Sequence, residues 1–263
     1  MKKISLALWG WAARGLIHIW VLKYLEEKNI EISEVSGTSM WAIIASMIAI
    51  WMNSKKIKDF AKSINILSLA DFDLKSGLLK WKKVENKLKE VFGNKKIEET
   101  KIPLKIIATN IEKAESKVFD SWKIVDAVRA SISLPWIFVP KKIDWESYVD
   151  GWIMMNLPIE VLDWKEILAV SALKITTWKI EKEKKFLGIK LKTWFWQNNY
   201  EIIKRSVILM MKVNEDRSFQ TPWKSISLIR PNFWDLDIMH FSKVDEFEKI
   251  GYEAVKSSYK LQT

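Results

Sequence analysis

The chain lacks cysteine entirely and has only two histidines, His18 and His240. Without cysteine there can be no disulfide framework, no thiol nucleophile and no cysteine-ligated metal or iron–sulfur site. Two histidines are too few for a histidine-rich metal centre. The longest apolar run, residues 41–52, is well short of the roughly 20 residues that cross a bilayer, and it predicts a buried helix instead. We therefore expect no metal, no cofactor and no spanning segment.

Glycine is also scarce, while tryptophan is abundant. The 263 residues include eight glycines and 16 tryptophans. Average usage of roughly 7% would give about 18 glycines in a chain of this length. The imbalance therefore needs an explanation of its own.

The remaining composition is that of a soluble globular protein. Hydrophobic residues make up 49% and charged residues 29% of the chain, so a sizeable core can be buried. The net charge of +11 comes mainly from lysines spread along the chain, which favours a solvated surface over a nucleic-acid site. We expect a single domain over residues 1–263, located in the cytoplasm, with association with anionic lipid left open and the oligomeric state undetermined.

The hydrophobic pattern alternates short strands with helices. The apolar stretch after Lys3 resembles a secretory signal, but it is interpreted as a first buried strand. Predicted strands lie at 4–8, at a segment ending near 35–36, and at 104–109, 118–119, 147–149, 167–170 and 226–229. Predicted helices lie at 15–28, 41–52, 124–131, 200–213 and 243–260, with a helical cover over 54–100 and a solvated loop at 179–185. This order predicts an α/β fold with a mainly parallel sheet.

Three short segments follow predicted strands, where the ligand crevice of a parallel sheet lies. They are WGWAARG at 9–15, GTSMW at 37–41 and DGW at 150–152. Gly37-Thr38-Ser39-Met40-Trp41 differs by one residue from the nucleophile elbow G-x-S-x-G, in which a strained turn presents the serine at a helix N-terminus. Taken alone, Ser39 would be a helix N-cap and Asp150 a turn residue. Together, the three segments favour a catalytic site.

With glycine in place of each tryptophan, the segments become GGGAARG, GTSMG and DGG. So restored, they resemble the patatin-like phospholipase family, and the resemblance covers most of the chain. It includes an arginine, Arg14, in the glycine-rich loop and a Ser-Leu-Pro stretch leading into Asp150-Gly151. The combination is specific, whereas G-x-S-x-G alone is weak.

The resemblance implies a three-layer α/β/α fold and a serine lipid acyl hydrolase. Ser39 would be the nucleophile and Asp150 its general base, with no histidine required. Backbone N–H groups around Gly10, Trp11 and Ala12 would form the oxyanion hole, in a loop ordered by Arg14. The remaining motif positions are Gly37 and Trp41 in the elbow, Gly151 and Trp152 after the aspartate, and Asn156 and Pro158, which would hold that last segment in place. The substrate would be a lipid acyl ester, with peripheral membrane contact left open.

Eleven tryptophans occupy positions where the family pattern has glycine or where the expected local backbone conformation favours glycine. They are Trp9, Trp11, Trp20, Trp41, Trp51, Trp81, Trp122, Trp136, Trp145, Trp152 and Trp234. Adding eleven to the eight written glycines gives 19, close to the number expected from average usage. The hypothesis is that the gene uses UGA for glycine and that UGA is translated here as tryptophan. Taken literally, Trp9, Trp11 and Trp41 would fill the oxyanion loop and force the elbow apart.

Three alternatives stay open at this point. Ser39, Asp150 and His240 follow the order of an α/β-hydrolase triad, although the elbow comes early for that fold. The restored glycine loop could be a dinucleotide-binding fingerprint, although the spacing of its glycines does not match that motif. The chain could also be an inactive lipid-binding or regulatory protein on the same fold. His18, on the first helix, is expected to be packed rather than catalytic.

Overall fold

The computed structural model describes residues 2–10, 12–63, 71–73, 78–80, 82–135, 137–173, 185–186, 189–190, 193–232 and 243–259. In chain order the strands are β1 (Lys3–Gly10), β2 (Glu31–Thr38), β3 (Asp71–Asp73), β4 (Leu78–Lys80), β5 (Leu104–Asn110), β6 (Glu115–Phe119), β7 (Lys141–Ile143), β8 (Glu146–Asp150), β9 (Glu166–Ala172), β10 (Lys185–Phe186), β11 (Ile189–Lys190) and β12 (Ser225–Ile229). The α-helices are α1 (Ile17–Glu27), α2 (Met40–Ala49), α3 (Ser54–Ser63), α4 (Lys82–Phe92), α5 (Ile124–Ser131), α6 (Thr193–Ser218) and α7 (Val244–Ser258). Short 3-10 helices cover Ala12–Leu16, Ile97–Glu99 and Gly151–Ile153.

An eight-stranded sheet forms the middle layer. Its order is β12-β9-β1-β2-β5-β8-β7, with β6 also paired to β5. The five strands from β12 to β5 are parallel, and β6, β7 and β8 are added in antiparallel pairings. The sheet is therefore mainly parallel, as the sequence predicts.

Alternate side chains of each central strand enter two separate cores. On β1, Leu6 and Leu8 point into a core shared with α1, α2, α4, α5 and α7. Ala7 and Trp9 point into a second core, which contains Met211 of α6 and the segment after Asp150. Helices and sheet thus form three layers, α/β/α, because each face of a sheet buried on both sides needs its own cover.

Most predicted elements agree with the structure to within a few residues, and the helix over 124–131 has the predicted bounds. The helical cover over 54–100 is wrong in part, because the two helices α3 and α4 are separated by the small antiparallel pair β3-β4. The predicted loop at 179–185 lies outside the described residues except for Lys185. Within the part of the chain that the structure describes, no helix combines the length and apolar character needed to cross a membrane.

Candidate functional site

Ser39 occupies a sharp turn between a strand and a helix. β2 ends at Thr38 and α2 begins at Met40, and Ser39 between them has φ 61° and ψ −142°. This backbone region strongly favours glycine, so a serine held there is strained. Gly37 has no room for a side chain, because a Cβ there would lie 2.7 Å from the carbonyl oxygen of Trp41. The turn has the geometry of a nucleophile elbow.

Strand β5 aligns the end of β2 with the end of β8. Thr38 of β2 pairs with Ile107, and Asp150 of β8 pairs with the next residue, Ala108. Because β6 occupies the opposite edge of β5, β2 and β8 follow one another along the same edge. β8 runs antiparallel to β5, so the C-terminal ends of β2 and β8 face each other.

This alignment brings together two side chains that are 111 residues apart. Ser39 Oγ donates a hydrogen bond to Asp150 Oδ2 at 2.6 Å. The other carboxylate oxygen, Oδ1, accepts from the backbone N–H of Trp152 at 3.1 Å. The N–H of Ser39 donates to Ser131 Oγ at 2.8 Å, which fixes the turn from the side of α5.

Asp150 is fully buried. Burial raises the pKa of Asp150 from its usual 3.8 to about 7, against the opposing effect of the hydrogen bonds from Ser39 and the N–H of Trp152. A carboxylate that is hard to ionise takes up a proton readily near neutral pH. This is the property that a general base for a serine hydroxyl requires.

The glycine-loop segment begins at the end of β1, next to the same site. Gly10 and Ser39 line one small cavity, while Ala12 and the half-buried Arg14 belong to the 3-10 helix Ala12–Leu16. Trp11 lies outside the described residues. Through Gly10, the segment at 9–15 therefore lies at the same site as the segments at 37–41 and 150–152.

The expectation that Trp41 forces the elbow apart is wrong. The Trp41 indole lies over Gly15, where a Cβ would come within 2.0 Å of the ring. Its Nε1 donates to the carbonyl oxygen of Gly10 at 2.5 Å. The indole is accommodated because Gly15 has no side chain, so the elbow keeps its turn while the ring packs over the glycine loop.

The segment after Asp150 is held against the sheet and α6. Gly151 packs onto β5, since a Cβ there would lie 2.5 Å from the carbonyl oxygen of Ile107. The Asn156 amide donates to the carbonyl oxygen of Met211 at 2.6 Å, and the carbonyl oxygen of Pro158 accepts from Ser36 Oγ at 2.8 Å. Asn214 of α6 donates to the carbonyl oxygen of Ile153 at 2.8 Å.

His18, the histidine that lies within the described residues, makes no hydrogen bond to Ser39 or Asp150. His18 is buried on α1, edge-on to the Trp41 ring with 5.0 Å between ring centroids. Burial lowers the pKa of His18 to about 3, against the opposing effect of a hydrogen bond with the Trp9 backbone. His240 lies outside the described residues.

Three further residues of the site, Ser131, Leu134 and Met211, are not predicted from the sequence as site residues. Ser131 ends α5, and Leu134 and Met211 line the cavity beside Ser39. Leu134 belongs to the Ser-Leu-Pro stretch of the family pattern. Met211 carries no local signal, because its contact with the site depends on how α6 packs across the sheet.

Comparison with known proteins places this architecture in a family. The family model for patatin-like phospholipase matches residues 6–163. The chain belongs to the patatin-like phospholipase family. The matched range contains all three segments of the candidate site in this patatin-like chain.

Relatives of the patatin-like chain are longer proteins. An uncharacterized NTE family protein of Mycobacterium tuberculosis is 30% identical over 164 residues, which cover 60% of this chain and 44% of that protein. Patatin-like phospholipase domain-containing protein 6 of Mus musculus is 25% identical over 279 residues, covering 97% of this chain and 20% of that protein. The chain thus matches less than half the length of these relatives. The crystal structure of VipD from Legionella pneumophila aligns with 98% of this chain and 67% of that chain, at 15% identity and a TM-score of 0.47.

The strained turn at Ser39 predicts an unusual order of stability. Ser39→Gly and Ser39→Ala both remove the hydroxyl, but only glycine relieves the positive φ. We expect the glycine variant to be more stable by about 1 kcal/mol, measured by urea denaturation. Ser46, inside α2, is the control: there the alanine variant should be the more stable one, by about 1 kcal/mol. An alanine variant at 39 as stable as the glycine variant would contradict the strain.

Proposed function

We propose that the protein is a serine hydrolase of lipid acyl esters that works through a Ser39–Asp150 dyad. The observation that carries the proposal is the 2.6 Å hydrogen bond from Ser39 Oγ to a buried carboxylate whose pKa is raised to about 7. Membership of the patatin-like phospholipase family supports the same reaction class.

The reaction proceeds in two steps. Asp150 accepts the Ser39 proton while Oγ forms a bond to the ester carbonyl carbon, and the leaving alcohol departs with a proton returned by Asp150. Water then donates a proton to Asp150 and attacks the acyl carbonyl carbon; the bond to Ser39 Oγ breaks, Asp150 returns the proton to Oγ, and the fatty acid is released. Backbone N–H groups of the loop containing Gly10, Trp11 and Ala12 stabilise the oxyanion; one such donor contributes roughly 3 kcal/mol to the transition state.

Peripheral contact with an anionic membrane surface belongs to the same proposal. The net charge of +11 attracts acidic lipid. Helix α6, which contributes Met211 to the cavity, also exposes apolar side chains, among them Ile203, Met210 and Val213. An enzyme that takes acyl esters from lipid would use such a surface beside its site.

Hydrolysis of p-nitrophenyl acetate tests the proposal directly. The purified chain should release p-nitrophenol, and Ser39→Ala should abolish this activity. Asp150→Asn should reduce kcat by at least about 100-fold, the lower range for a general base. Ser46→Ala, on the helix that follows the elbow, is the control and should stay within twofold. A folded protein without Ser39-dependent hydrolysis would favour the alternative of an inactive lipid-binding protein.

The raised pKa of Asp150 predicts the pH dependence. The carboxylate must be ionised to accept the serine proton, so kcat/KM should rise with pH and reach a plateau above an apparent pKa of about 7. The residual activity of Asp150→Asn should lack this rise. A profile that is flat or falling between pH 5.5 and pH 8.5 would contradict the assigned role.

The proposal extends to the identity of the tryptophans. Four of the eight described non-glycine residues with positive φ are tryptophans: Trp51, Trp122, Trp145 and Trp223. Asp144 and Trp145 both have positive φ, 47° and 69°, in the two-residue turn between β7 and β8, where Asp-Gly is the favoured pair. These backbone angles support the hypothesis that UGA encodes glycine in this gene. Trp223, which also has positive φ, is a further position where the backbone favours glycine.

Mass spectrometry of the protein from its source organism tests this part. Peptides covering the Asp144-Trp145 turn and the elbow should carry glycine at 145 and 41. Tryptophan at those positions in native peptides would contradict the recoding and leave the indoles as true features of the protein.

A further inference from the structure

A small cavity lies directly beside Ser39. Its volume is about 70 Å³, and its walls come from the glycine loop, the elbow and Met211 of α6. Taking roughly 30 Å³ for a water-sized group, it holds an acyl group of about two or three carbon atoms. A long acyl chain cannot enter it without a change in the walls.

Two indoles limit this cavity on the side of the second core. Trp9 and Trp152 both line it and are 1% and 4% exposed. Trp152 Nε1 is buried without a hydrogen-bond partner among the described residues. Because this donor has no acceptor among the described residues, packing keeps the Trp152 ring in place.

Behind the indoles the structure is apolar. The second core contains Leu157, Ile159, Leu162 and Leu173. Side chains of this kind match the chemistry of an acyl chain. Hydrogen bonds from Asn156 and Asn214 hold α6 against the segment that follows Asp150. Removal of the Trp9, Trp152 or Met211 side chain should therefore leave open space, because α6 cannot move inward to fill it.

We propose that the cavity is the acyl-chain subsite and that Trp9, Trp152 and Met211 determine the length of chain it accepts. The inference rests on the proposed function. The chain as written selects short acyl groups, and loss of either indole or of the Met211 side chain extends the subsite into the second core. Glycine at positions 9 and 152 would give a protein that accepts long acyl chains.

The experiment compares p-nitrophenyl acetate with p-nitrophenyl octanoate. In Trp152→Gly and Met211→Ala, the ratio of kcat/KM for octanoate to that for acetate should rise at least tenfold. The matched controls are Trp145→Gly, at an indole that is 96% exposed, and Met154→Ala, at an exposed methionine outside the cavity lining. Both controls should keep the ratio within twofold. Folded Trp152→Gly and Met211→Ala proteins with an unchanged ratio would overturn the proposal.

Binding separates this inference from the catalytic proposal. The fluorescent fatty acid cis-parinaric acid is titrated into Ser39→Ala and into the same protein with Met211→Ala or Trp152→Leu, a milder change than glycine. Affinity at least fivefold higher in the double variants supports the subsite even if every form lacks esterase activity, an outcome that would defeat the proposed function alone. Equal affinity, with circular dichroism showing intact folds, would overturn the subsite.

Discussion

The candidate site depends on one strand, β5, which pairs along the same edge first with β2 and then with β8. Thr38 pairs with Ile107 and Asp150 with Ala108, so the ends of β2 and β8 meet at consecutive positions. No loop has to hold the two side chains together. The hydrogen bonds of a central sheet fix their separation, and a rigid sheet holds a nucleophile and a base more accurately than a flexible loop does.

The price of this arrangement is local instability. Ser39 is held at positive φ, and Asp150 is buried with its pKa raised. The extra stability that the neutral acid gives the fold is lost as the pH rises from about 4 to about 7, because the folded-state pKa lies above the unfolded value. The hydrogen bonds from the N–H of Ser39 to Ser131 Oγ and from the N–H of Trp152 to Asp150 Oδ1 offset part of that cost. Strain at a functional site, supported by its surroundings, is a common feature of enzymes.

The sequence predicts much of the fold and the members of the site, but not how they meet. The helix over 124–131 is predicted correctly because its apolar positions repeat at helical spacing. The pair β3-β4 is missed because strands of three residues are too short to show an alternating pattern. The head-on approach of β8 depends on pairings between distant segments. The position of the Trp41 ring depends on a missing side chain at Gly15, which no local pattern reveals.

Covalent labelling tests the central claim, that Ser39 is an activated nucleophile, without assuming any lipid substrate. The folded chain is incubated with a fluorophosphonate probe, digested, and examined by mass spectrometry for the modified residue. The account predicts a label on Ser39 that forms much more slowly in Asp150→Asn. A folded protein that takes up no label at Ser39, or that is labelled equally fast without the Asp150 carboxylate, would contradict it.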